Sequence, residues 1–137
     1  MQATLIESAD EHHLVLLDHR VTQLVFEPGT LRLQTWSLDG SAEVRLAAPF
    51  RLRLAAGGAE RTLDPAAAET LAPVLALLRR GVESLTLTRS GTLTLAFRDG
   101  AAVVADASGR GAAWEVDGGG ILEGLAYRGV AGVVPWG

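Results

Sequence analysis

The sequence predicts an α+β domain of mostly antiparallel β-structure, with about eight or nine strands in two meanders and one helix near residues 65–80 packed on the sheet. Three observations carry this expectation. Apolar and polar residues alternate along most of the chain, Gly-containing pairs punctuate the alternating runs, and one segment carries leucines and a valine at helical spacing.

The first meander is expected from Val21 to Glu27, Thr30 to Ser37 and Ala42 to Ala47, turned at Pro28-Gly29 and Asp39-Gly40. Phe50, Leu52 and Leu54 then alternate with Arg51 and Arg53, the pattern of a half-buried strand. A second meander runs from Glu83 to Asp106. In it Leu85 and Leu87 alternate with Thr86 and Thr88, and Leu93, Leu95 and Phe97 with Thr92, Thr94 and Ala96. Its turns, Ser90-Gly91 and Asp99-Gly100, supply the positive φ that tight hairpins require. Gly29-Thr30-Leu31-Arg32-Leu33 aligns with Gly91-Thr92-Leu93-Thr94-Leu95. The meanders are therefore either pseudo-symmetric copies or two hairpins that converged on one turn chemistry.

Between the meanders lies the predicted helix. Asp64 would cap it, Pro65 suits its first turn, Leu71, Val74, Leu75 and Leu78 make an apolar stripe, and Gly81 would stop it. Pro73 either kinks this helix or starts a second one, because it has no N–H for the ladder. In the tail, Ala113 to Val116 reads as a strand and Asp117-Gly118-Gly119-Gly120 as a turn. Ile121 to Tyr127 would return as a strand, and Val133-Val134-Pro135-Trp136 would close the chain.

A chain of 137 residues without a composition break is expected to form one domain, 1–137. Its 48% apolar and 20% charged residues are globular proportions. The absence of cysteine excludes disulfides, thiolate chemistry and sulfur-ligated zinc. The net charge of −4 and the scattered arginines argue against nucleic acid as a partner. All basic residues are arginine, and lysine and asparagine are missing, which points to a GC-rich bacterial genome. Glu7, Asp10 and Glu11 precede the first arginine, unlike a secretory signal. No run approaches the roughly 18 apolar residues of a membrane span. A cytoplasmic protein with no membrane partner is expected.

Catalytic and cofactor constellations are not evident. The histidines His12, His13 and His19 lie near Asp10, Glu11 and Asp18, but adjacent residues diverge on a strand or a helix, so no metal site is expected. No serine sits in a Gly-x-Ser-x-Gly elbow. The carboxylate pairs Asp99 with Asp106 and Glu115 with Asp117 are explained by turns and strand surfaces. Gly118-Gly119-Gly120 and Gly109-Arg110-Gly111 lack the lysine and helix start of a phosphate loop. No catalytic residue, metal ligand or cofactor is assigned.

The candidate interaction residues are Trp36, Trp114 and Glu115. Trp36 shares the polar face of its strand with Arg32 and Gln34, opposite Leu31 and Leu33. It signals an interface unless other elements cover it. If Trp114 faces the core, Glu115 faces solvent or a groove.

The pattern Gly91-x-Leu93-x-Leu95-x-Phe97-x-Asp99-Gly100, followed by Ala113-Trp114-Glu115-Val116 and a glycine-rich end, resembles a bacterial domain family of unknown function. The likeness extends through Ala48-Pro49-Phe50-x-Leu52 and Pro73 to Gly81, but Ala112 and Ala113 stand where the family tends to carry a glutamate. The resemblance implies no activity. It does imply that some relatives are immunity proteins from toxin neighbourhoods. The leading expectation is thus a non-catalytic protein-interaction module of immunity type, with a protein partner. The alternatives are a homodimer or other structural homo-oligomer, a small-molecule-binding domain, and an enzyme of unknown class.

Overall fold

The alternating runs become two antiparallel sheets. A computed structural model describes residues 4–7, 11–38, 40–107, 112–120 and 126–130. In chain order the elements are β1 (Thr4–Glu7), β2 (Glu11–Val15), β3 (Arg20–Glu27), β4 (Thr30–Ser37), β5 (Gly40–Leu46), β6 (Phe50–Arg53) and β7 (Arg61–Leu63). A 3-10 helix (Ala68–Leu77) follows, then β8 (Val82–Thr88), β9 (Thr92–Phe97), β10 (Ala102–Asp106), β11 (Ala112–Gly120) and β12 (Ala126–Val130). A seven-stranded sheet has the order β1-β2-β8-β9-β10-β6-β7, and a five-stranded sheet the order β12-β11-β5-β4-β3. Every neighbouring pair is antiparallel.

The architecture is mostly antiparallel β with one short helix, as expected, and the share of helix is too small for the α+β label. Its units are two sheets, not two meanders. Each meander is completed by strands from the far side of the chain. After β5, the hairpin β6-β7 crosses to pair with β10, and after β10, the hairpin β11-β12 crosses to pair with β5. Both sheets thus contain three consecutive strands followed by the other segment's hairpin. The seven-stranded sheet adds β1-β2 along β8. β1, β2 and β7, of four, five and three residues, fall outside the expected meanders and are too short for alternation to mark them firmly.

Period two does the sorting. Leu31, Leu33, Val44, Leu46, Trp114 and Val116 face inward from the five-stranded sheet, and Leu85, Leu87, Leu93, Leu95, Phe97 and Val103 from the seven-stranded one. The two sets form one continuous buried core. At about 25 cal/mol per Å² of apolar area removed from water, this shared interior is the main stabilising term. Trp114 is 0% exposed, and its indole N–H donates to the Gly91 carbonyl at 2.9 Å, tying the five-stranded sheet to the β8–β9 turn of the other. His12 and His13 lie on opposite faces of β2: His12 is buried, and His13 pairs its Nδ1 with Thr86 Oγ1 at 2.9 Å.

The helix differs from expectation in type, register and stop. Its bonds run three residues back, as in Thr70 N–H to Ala67 O and Leu78 N–H to Leu75 O. Three residues per turn place Leu71, Val74 and Leu77 in one buried line. Leu75 and Leu78, which an α-helical stripe would bury, are exposed. Pro73 explains the change, since in an α-helix its ring would collide with the carbonyl four residues earlier. Asp64 does not cap this helix, whose N-terminal flank is Ala67. It accepts instead from the Ala66 N–H at 2.9 Å in the preceding turn. The exit is made by Arg79, at φ 69°, and not by Gly81. The cost of that conformation is offset by the bond from Arg79 N–H to Val21 O at 2.7 Å.

The glycine-rich tail is the remaining correction. Residues 117–120 are not a turn, because β11 continues to Gly120 and pairs with β5 through Gly118–Ala42, Gly119–Ser41 and Gly120–Gly40. Backbone pairing needs no side chain, so a strand already anchored by Trp114 and Val116 extends through glycine. Asp39, Gly109-Arg110-Gly111, Ile121 to Leu125 and Val133 to Trp136 lie outside the described residues.

Candidate interaction surface

The outer face of the five-stranded sheet is organised in cross-strand rows. One row runs Val25, Arg32, Arg45, Glu115, Arg128 and the next Gln23, Gln34, Glu43, Asp117. A third brings together Arg20, Trp36, Ser41 and Gly119. Trp36 is on this outer face because it follows Arg32 and Gln34 at period two, and nothing in the described residues covers it; it is 51% exposed. Beyond it, at the tip of the β4–β5 hairpin, Leu38 is 92% exposed.

An open groove of about 300 Å³ lies beside the indole. Two features of sequence create it. On the β5–β11 side of the Trp36 row stand Ser41 and Gly119, which are too small to fill the space next to a large ring. In β3 the register shifts between Val21 and Gln23, so Thr22 is an extra residue, exposed, with its hydroxyl directed at the Gln34 carbonyl at 3.4 Å. The walls carry Gln34, Glu43 and Asp117, and Glu43 and Asp117 are direct cross-strand partners.

The electrostatics of the walls are uneven. Arg32 contacts Glu27 at 2.9 Å through Nε and Glu43 at 3.1 Å through Nη1, so one guanidinium serves two carboxylates. Asp117 is exposed and has no ion pair among the described residues. Below the groove Thr35 is buried; its hydroxyl lies 3.0 Å from His19 Nδ1 and 3.4 Å from the Ala42 carbonyl, to which it donates. Donation to Ala42 leaves the threonine oxygen to accept from the imidazole, which fixes the floor.

Of the three candidate residues, the structure leaves Trp36 on the surface, places Trp114 wholly in the core, and sets Glu115 half-buried on the outer face, two positions from Asp117 on β11. Trp36 and Glu115 share one face of one sheet; Trp114 lies on the other. Nothing in the sequence singles out Ser41, Glu43 and Leu38, and Asp117 falls in the turn expected there. Period two marks these residues as outward, but the pairing of Glu43 with Asp117 joins positions far apart in sequence and has no local signal. The other carboxylate pair, Asp99 with Asp106, is engaged elsewhere: Asp99 meets Arg80 at 3.0 Å, and Asp106 meets Arg51 at 3.1 Å. Among the described residues no three histidine or acidic side chains gather as metal ligands, and no helix is long and apolar enough to cross a membrane.

A family model described as a family of unknown function, DUF6188, matches residues 12–123. The chain belongs to that family. No curated protein and no solved structure matches it. The stretch shared with DUF6188 begins in β2 and passes β11, so it includes Trp36, every described residue lining the groove, and Trp114 with Glu115. Membership in DUF6188 brings no activity with it.

Proposed function

We propose that this domain is a non-catalytic protein-interaction module that recognises a protein partner with the outer face of its five-stranded sheet, at the β4–β5 hairpin. The observation that carries this reading is the half-exposed Trp36 standing over an open groove, with Leu38 almost fully exposed at the same hairpin. Tryptophan is enriched among residues that dominate binding energy, and two large apolar side chains in water gain by being covered. Beneath it β4 and β5 are hydrogen-bonded to strands on both sides, which suits a preorganised recognition surface. An immunity-type role, in which the domain blocks its partner, is one form of this reading.

Binding of a free small molecule is the second reading, favoured by the concavity of the site. At about 300 Å³ the groove is at the small end of ligand pockets. Its open side suits a side chain projecting from a larger partner better than a ligand that must be enclosed. Affinity capture from the native host tests the proposal, comparing the wild-type domain with Trp36→Ala and Leu38→Ser. A specific protein retained by the wild type and lost from both variants, whose far-UV spectra stay native, supports it. A partner retained equally by all three refutes it.

A further inference from the structure

Resting on that reading, we infer that the groove is a receptor for an arginine side chain of the partner. Among the described residues, the charged side chains lining it are Glu43 and Asp117, both acidic. They face each other across β5 and β11, an arrangement that destabilises a sheet when both carry the same charge and nothing intervenes. Arg32 offsets only part of this, since its guanidinium is shared between Glu43 and Glu27. A cation entering between Glu43 and Asp117 relieves the repulsion.

The remaining wall selects the kind of cation. Trp36 is on the neighbouring row and offers the face or edge of an indole, and Gln34 is in register with Glu43. A guanidinium is planar, stacks on tryptophan, and donates through a fork of N–H groups that matches a carboxylate in bidentate fashion. It can use the indole and both carboxylates at once. An ammonium is a compact, strongly hydrated charge that gains less from the ring. Arg20 and Arg45 are the other cations on this face whose side chains are described. Arg20 lies beyond Trp36 on β3, Arg45 lies in the next row, and neither lines the groove.

The test uses three blocked tripeptides, Gly-Arg-Gly, Gly-Lys-Gly and Gly-citrulline-Gly, titrated into the full chain and followed by amide and indole N–H shifts. The arginine peptide should give saturable shifts centred on the Trp36 indole and the Gly118 amide. Affinity should fall about tenfold for Asp117→Asn, which removes one charge partner, and similarly for Trp36→Leu, which keeps apolar bulk without the indole ring. Binding should weaken with added salt. Equal binding of the citrulline peptide, tighter binding of the lysine peptide, shifts centred elsewhere, or no shifts overturn the inference. If these occur while Trp36-dependent capture of a partner persists, the arginine assignment fails and the interaction surface stands. If the arginine peptide binds as described but capture does not depend on Trp36, the reverse holds.

Discussion

Replacing Trp114 by phenylalanine isolates the contact that ties the two sheets together. The indole is fully buried, and its N–H donates to the Gly91 carbonyl at 2.9 Å. That carbonyl also accepts the Ala107 N–H at 2.8 Å, so phenylalanine leaves no buried acceptor stranded. The loss is then one net hydrogen bond, about 1 kcal/mol, with no added penalty for an orphaned group. The smaller ring forfeits a further ~1–2 kcal/mol of burial and leaves a small void. The expected total is roughly 2–3 kcal/mol, against about 4–5 kcal/mol for Trp114→Ala, where nearly all of the packing disappears. At a slope near 4 °C per kcal/mol for a chain of this size, Trp114→Phe should melt about 8–12 °C below the wild type. Urea unfolding followed by far-UV circular dichroism checks the free energies, and an unchanged m-value shows that the same surface is exposed in each case. A Trp114→Phe protein within about 0.5 kcal/mol of wild type, or one as unstable as Trp114→Ala, refutes the bolt between the sheets.

Two further perturbations separate competing accounts of the fold. Leu77→Ala should cost about 2–4 kcal/mol because Leu77 is wholly buried, whereas Leu78→Ser should stay within about 0.5 kcal/mol; urea melts showing the reverse order would restore an α-helical register. Gly29 and Gly91 both have positive φ, but an added Cβ meets nothing within 4 Å at Gly29 and comes within 2.5 Å of Ala107 Cβ at Gly91. Gly29→Ala should therefore cost only the left-handed backbone term, about 1 kcal/mol, and Gly91→Ala more than ~2 kcal/mol. Adding Ala107→Gly to Gly91→Ala should recover the steric part and leave the backbone part. Equal thermal melts for Gly29→Ala and Gly91→Ala would contradict the packing of that turn.

Local chemistry made most of the strands legible. Leucines two apart with threonine or arginine between them can shelter one face only in a pleated strand, and glycine at Gly29, Gly91 and Gly100 permits the reversals. The same alternation points Trp36 outward. Three features could not be read in that way. The helix register depends on Pro73 excluding the α ladder and on the core accepting a three-residue period, and leucine spacing alone favours the α-helical stripe. The extension of β11 through its glycines depends on β5 lying alongside to receive the hydrogen bonds. The groove depends on the crossing of hairpins between sheets, which brings Asp117 beside Glu43 and Gly119 beside Ser41, in the row of Trp36. Periodicity decides which way a side chain points because that is a property of one strand. Which strand lies next to it is decided by how two whole sheets bury their apolar faces together, and the interaction surface belongs to that second level.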